Sequence, residues 1–246
     1  AIAVMLLAGC ASRPLNQPLD HVDQSSGYRG NVVIPARPNN DPSALFVLSF
    51  SGGGTRAAAL SYGVLEELRS VEFTATDGGT RKLIDEVDVI TGVSGGSFTA
   101  LSYALYGDRL FDEYEQRSLK RNVQGTLEKR FFLNPANWFR MMSGNYGRSE
   151  IAADYYDEIL FENATFSDLL DKKGPLAIAS STDITTGSRF SFYQDDFDLI
   201  CSDLGPVHLA RAAATSSAVP MVLSPVTLNN YGGSCDYQYP GWVEDI

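Results

Sequence analysis

Asp88-Val89-Ile90-Thr91-Gly92-Val93-Ser94-Gly95-Gly96-Ser97 is the stretch whose reading decides the fold. Val87, Val89 and Ile90 read as the end of a short buried strand, and residues 98–105 (FTALSYAL) read as a helix, so Gly92-x-Ser94-x-Gly96 falls on the turn between them. A serine on a sharp strand-to-helix turn sits in strained backbone with its hydroxyl pushed clear of the sheet. Small flanking residues let strand and helix approach closely. The next amide, from Gly95, points along the helix N-terminus towards charge developing on a substrate oxygen. A chain with 22 glycines produces such spacings by chance, and a glycine-rich turn can serve packing alone. The strand before and the helix after favour the reading of Ser94 as a nucleophile.

Upstream, residues 44–50 (ALFVLSF) form a continuous apolar run of strand length, the kind buried on both faces of a parallel sheet. Ser51-Gly52-Gly53-Gly54-Thr55-Arg56 follows, then a helix to about residue 70 with Ala57, Leu60, Val64, Leu65 and Leu68 on one side. Strand, glycine loop and helix make the first half of a βαβ unit whose return strand leads into Ser94. The glycine run lacks the lysine and spacing of a P-loop and the second spaced glycine of a dinucleotide fingerprint. Its unobstructed amides suit an oxyanion hole formed by Gly52, Gly53 and Gly54.

Downstream, residues 108–129 read as a charged helical stretch with Leu110, Phe111, Tyr114 and Leu119 as its apolar positions. Residues 130–142 (RFFLNPANWFRMM) concentrate large apolar groups near basic ones and read as a cap packed on the core; exposed, they would be a lid or an interfacial patch. A helix over 149–161, a strand over 175–180, an edge strand or hairpin arm over 189–193 and a helix from Pro206 to Thr215 complete the pattern. Neither an internal repeat nor a further domain boundary is visible.

The 246 residues suit one large α/β domain or two small ones, and 44% hydrophobic content is ample for a core. A formal net charge of −11 argues against a nucleic-acid partner and is compatible with a lipid or another neutral substrate. No His/Cys/Asp cluster has ligand spacing, so neither a metal nor an organic cofactor is implied. Nothing identifies a protein partner.

Residues 1–10 (AIAVMLLAGC) form an apolar run too short to span a bilayer and read as a partial signal peptide ending in a lipobox cysteine, Cys10. A buried N-terminal strand is the alternative. Residues 11–43, rich in Pro, Asn, Ser, Gln and Gly, read as a tether. Residues 44–246 then form the catalytic domain. With Cys10 lipidated, Cys201 and Cys235 remain, either as a disulfide or as two buried thiols. The anchor implies a bacterial cell envelope, and Ala11 after the cysteine favours the outer membrane under bacterial sorting rules.

A serine nucleophile needs a base. The histidines are His21, in the tether, and His208, near a helix start; neither follows an acid in the order of an α/β-hydrolase triad, and His208 reads as structural. Histidine scarcity points to a carboxylate base.

Four blocks then acquire meaning together: Ser51-Gly52-Gly53-Gly54-Thr55-Arg56, Gly92-Val93-Ser94-Gly95-Gly96-Ser97, Ser181-Thr182-Asp183-Ile184-Thr185-Thr186-Gly187, and residues 210–220 (ARAAATSSAVP). In this order they resemble the patatin-like phospholipase family, over about 44–226. The resemblance implies a three-layer α/β/α sandwich with a mostly parallel central sheet, lipid acyl hydrolase activity and a Ser-Asp dyad. It makes Ser94 the nucleophile, the amides of Gly52, Gly53 and Gly54 the oxyanion hole, and Arg56 a support for loop geometry or substrate charge. The family's dyad aspartate lies in an Asp-Gly-Gly or Asp-Gly-Ala turn after the serine. Here the single Asp-Gly-Gly, at Asp77, precedes Ser94 and reads as a plain turn; Asp236 and Asp245 lack the glycines. The simplest expectation is a fragment whose dyad aspartate lies beyond Ile246. The rival expectation is a non-catalytic envelope lipoprotein that binds acyl chains or a protein partner.

Overall fold

Apolar runs of strand length become a central sheet, and the segments between them become its cover. The computed structural model describes residues 16–38, 43–75, 78–142, 146–219 and 222–241. Its main elements are β1 (Phe46–Phe50), α1 (Gly54–Ser70), β2 (Val87–Val93), α2 (Gly95–Tyr106), α3 (Val123–Phe132), α4 (Pro135–Met142), α5 (Arg148–Tyr156), α6 (Phe166–Lys172), β3 (Leu176–Thr182), β4 (Arg189–Phe192) and α7 (Leu209–Ser216). The sheet runs β1-β2-β3-β4, parallel in its first two pairings and antiparallel in the last. With helices flanking this mostly parallel sheet, the architecture is the expected three-layer α/β/α.

Strand β2 is central, so its residues are mostly buried, including an acid. Asp88 is tolerated there because its carboxylate accepts the Phe46 amide at 2.8 Å and pairs with Arg37. The register between β1 and β2 shifts between Phe46 and Val47, where that carboxylate substitutes for a strand acceptor. Helix α2 carries no charged residue and is buried at every position from Gly95 to Leu105 except Phe98, as a helix enclosed by sheet and neighbours should be. Thr99 fastens it to α1, donating to the Ala58 carbonyl at 3.0 Å while sharing a 2.9 Å hydrogen bond with the Tyr114 hydroxyl.

Several sequence expectations are corrected. Residues 16–38 are part of the domain, not a tether. Tyr28 and Arg29 are buried; the Arg29 guanidinium grips Asp198 at 2.6 and 2.9 Å, and the Tyr28 hydroxyl accepts the Ala177 amide at 2.7 Å. Burial pushes the Tyr28 phenol well above its usual range. Helix α1 buries Ala58, Ser61, Tyr62 and Leu65, with Leu60 and Val64 exposed, because Tyr62 stacks on Tyr114 at 5.7 Å and so sets the rotation. The stretch 108–129 is broken into a short helix, a π turn at Glu115–Leu119 and α3, which Asn122 caps by accepting the Gly125 amide. Helix α7 starts at Leu209, with His208 as its N-cap, and not at Pro206. Cys10, Asp77 and Asp245 lie outside the described residues. Among the described residues no helix is long and apolar enough to cross a membrane.

The alternative left open for the remaining cysteines is resolved as a disulfide, Cys201–Cys235. It ties the irregular segment 222–241 to the domain. Closing a loop of sequence separation 34 constrains the unfolded chain by about 4 kcal/mol. Replacing both cysteines by serine should therefore lower Tm by on the order of 10 °C in calorimetry. An unchanged Tm would show that the bridge carries none of the segment's attachment.

Candidate active site

The turn at Ser94 is defined by backbone before any side chain is considered. Ser94 has φ 50° and ψ −120°, a conformation that costs a non-glycine residue about 1–3 kcal/mol. Three glycines let the chain close around it. A Cβ on Gly92 would lie 2.5 Å from the Ser97 Cα, one on Gly95 2.1 Å from the Gly54 carbonyl oxygen, and one on Gly96 2.7 Å from the Phe50 Cβ. Hydrogen bonds fix the rest. The Ser94 amide donates to Ser216 Oγ at 2.8 Å, Ser216 Oγ donates to the Ser180 carbonyl at 2.6 Å, and Ser97 Oγ donates to the Ser94 carbonyl at 2.6 Å. The backbone of Ser94 is thus held from β3, α2 and α7.

The glycine loop lies directly beside it. Gly53 and Gly54 have φ 143° and 63°, open to glycine and strained for other residues. A Cβ on Gly52 would sit 3.4 Å from the Ser94 Cβ, so that loop residue faces the serine side chain. The amides of Gly52, Gly53 and Gly95 have no backbone acceptor among the described residues. Arg56, on the first turn of α1, is exposed and makes no ion pair or hydrogen bond among the described residues.

Ser94, Gly54, Thr55 and Gly95 open on a cavity of about 700 Å³, a volume typical of ligand pockets. Its walls are mainly apolar, with Phe98, Leu127, Phe131 and Ile159 among them. Its polar members include Ser118, Gln124, Glu128 and Arg148. Such a lining suits a hydrocarbon chain with its polar end at Ser94. Sequence reasoning missed Glu128, Arg148 and Ser216, because each belongs to the site through a tertiary approach and no local motif marks it.

No carboxylate among the described residues hydrogen-bonds the Ser94 hydroxyl. Asp183 caps its own hairpin turn between β3 and β4, accepting the Thr185 amide at 2.8 Å and the Thr186 hydroxyl at 3.0 Å, bonds that lower its pKa. Asp236 lies beside Cys235 in the disulfide-tied segment. His208 is occupied elsewhere, its Nδ1 2.9 Å from Asp157 Oδ2, and the hydrogen bond to that carboxylate raises its pKa.

The family model described as patatin-like phospholipase matches residues 48–239, a span holding the glycine loop, the Ser94 turn and α7. A search of curated proteins finds no match.

Two outcomes test the geometry. Glycine at position 94 should release the backbone strain, so Ser94→Gly should raise Tm by a few degrees while removing the hydroxyl; a lower Tm would mean that the turn is relaxed as it stands. For His208 the folded pKa is raised, so its contribution is complete below the unfolded value near 6.5 and is lost as pH rises through the folded pKa. The side chain is half exposed, which limits the effect to about 0.5 kcal/mol. Chemical denaturation of His208→Ala should therefore show a larger loss at pH 5.5 than at pH 8.5, and equal losses would exclude the ion pair.

Proposed function

The chain belongs to the patatin-like phospholipase family, and on that premise we propose that it is a serine acyl hydrolase acting on lipid esters, with Ser94 as nucleophile. The carrying observation is that a strained serine, with Gly52 of the glycine loop against its side chain, opens with Gly54 and Gly95 on one mainly apolar cavity. In this reading Ser94 Oγ attacks the ester carbonyl carbon while its proton passes to a carboxylate base. The amides of Gly52, Gly53 and Gly54, with that of Gly95, hold the tetrahedral oxyanion; losing one such donor costs roughly 10²–10³ in rate. The proton moves to the leaving alcohol oxygen as the C–O bond breaks, and water then releases the fatty acid from the acyl-enzyme. Arg56, free at the mouth of the loop, meets negative charge on the substrate.

We place the dyad carboxylate on a segment outside these 246 residues. Two observations support this: the Ser94 hydroxyl has no carboxylate partner among the described residues, and no strand among the described residues pairs with the outer edge of β1, where Phe46 and Val47 are exposed. A further strand has room there. Glu128, in the cavity wall, is the internal alternative. Lipidation at Cys10 and a position in the bacterial envelope, on the outer membrane, complete the proposal. The disulfide supports export, since such bonds persist in oxidising compartments. That no carboxylate among the described residues meets the Ser94 hydroxyl also favours a second reading, an envelope lipoprotein that binds acyl chains without turnover.

The test is fluorophosphonate labelling read by intact mass, on the product of the complete reading frame and on this 246-residue chain, each with and without Ser94→Ala. Ser94-dependent labelling of the former, with little on the latter, is expected. Rapid labelling of the 246-residue chain that Glu128→Gln abolishes would move the base to Glu128. Folded protein that never labels at Ser94 would leave only the binding lipoprotein.

A further inference from the structure

Helix α4 is built inside out. Its buried residue is a polar one, Asn137, whose Nδ2 donates to the Arg130 carbonyl at 3.0 Å. Beside it the Trp138 indole N–H donates to the Phe131 carbonyl at 3.0 Å. These two bonds fix the rotation of the helix and hold its apolar side outward. Phe139 is 74% exposed and Met142 81%, and Trp138, Phe132 and Leu133 are exposed with them. Of the cap expected over 130–142, Phe131 is buried in the core and Met141 packs half-buried against it, while the remaining large apolar side chains face outward. Contiguous exposed apolar side chains of this size mark an interaction surface in a folded domain.

We propose that the α3–α4 hairpin is a docking surface for an anionic lipid surface, on which it seats the mouth of the Ser94 cavity. Three observations select this occupant. Tryptophan, phenylalanine and leucine beside lysine and arginine are the composition of a helix lying in a headgroup layer. Charge supplies the second: between residues 123 and 148 Lys129, Arg130, Arg140 and Arg148 stand against the single carboxylate Glu128, in a chain of net charge −11. Arg130 pairs with Glu158 and Arg140 with Asp154, whereas Lys129 and Arg148 have no ion pair among the described residues. A second copy of the chain meeting this face about a two-fold axis would set these cations against each other. Continuity is the third, because Phe132, Val219 and Val222 are at once exposed and part of the cavity wall. A lipid would pass from the surface to Ser94 without crossing water. The inference deepens the hydrolase reading by naming where substrate enters, yet docking needs no turnover and is measured without it.

The experiment uses the chain carrying Cys10→Ser, which removes any acyl anchor, Ser94→Ala, which removes turnover, and Trp242→Phe, which leaves Trp138 as the single tryptophan of the two present. Sedimentation with vesicles of phosphatidylglycerol and phosphatidylcholine in equal parts, against phosphatidylcholine alone, gives affinity; tryptophan emission gives insertion. Binding to the anionic vesicles should be at least tenfold tighter, with a blue shift of Trp138. Phe139→Ala with Met142→Ala should weaken it at least tenfold at unchanged Tm, and Lys129→Glu should weaken it severalfold. Folded protein that binds neither vesicle, or binds equally well after both alanine changes, overturns the proposal. So does a dimer that the alanine changes dissociate in the absence of vesicle binding. Vesicle binding in this experiment, together with no Ser94-dependent labelling of the product of the complete reading frame, would overturn the hydrolase reading and leave the docking surface standing.

Discussion

The close approach of three backbone segments around Ser94 is the constraint on which the rest of the molecule depends. The end of β1, the glycine loop and the start of α2 meet with no room for a methyl group at Gly92, Gly95 or Gly96. Parallel pairing of β1 with β2 brings their carboxyl ends to the same side of the sheet, the side on which open α/β sheets bind ligands. Loop and turn therefore converge because the strands are parallel. The strain at Ser94 persists because α2, buried along nearly its whole length, cannot move to relax it.

How much of this was legible follows from how local each signal is. The Ser94 turn, the glycine loop and the parallel β1–β2 pair are each written in a few adjacent residues, and so could be read directly. The order of the four sequence blocks carried the architecture. The N-terminal segment was misread because its attachment is a buried guanidinium gripping Asp198, which leaves no hydrophobic period to see. The face of α1 was misread because an aromatic stack between Tyr62 and Tyr114 outweighs an aliphatic stripe. In the site, Ser216 was invisible because its role is to bridge the Ser94 amide and the Ser180 carbonyl, two groups far apart in sequence.

The edges of the sheet are treated unequally. At the far edge, β4 closes an antiparallel hairpin, and the short helix that follows, Gln194–Asp198, is anchored by Arg29 through Asp195 and Asp198. A buried ion pair of this kind is weak evidence for net stability, but removing one partner would strand the other charge. Its effect is to specify where residues 16–38 dock. The β1 edge has no such cover among the described residues: Phe46 and Val47 are exposed, and Leu60 of the following helix is exposed as well.

The β1 edge and the outer side of α4 are thus apolar surfaces left unburied among the described residues, and their chemistry separates them. Along β1 the exposed side chains accompany backbone amides and carbonyls without ladder partners, so only another strand satisfies both. Along α4 there is no strand edge to pair, and what is offered outward is tryptophan, phenylalanine and methionine flanked by cations. That surface demands no hydrogen bonds from its occupant and tolerates one without fixed shape, as a lipid layer is. The first surface bears on how the sheet and its serine acquire a base; the second bears on how an apolar substrate reaches them. Both border the βαβ unit or the cavity it opens onto, so the parts of the molecule left unsatisfied by folding are the parts that the proposed chemistry needs.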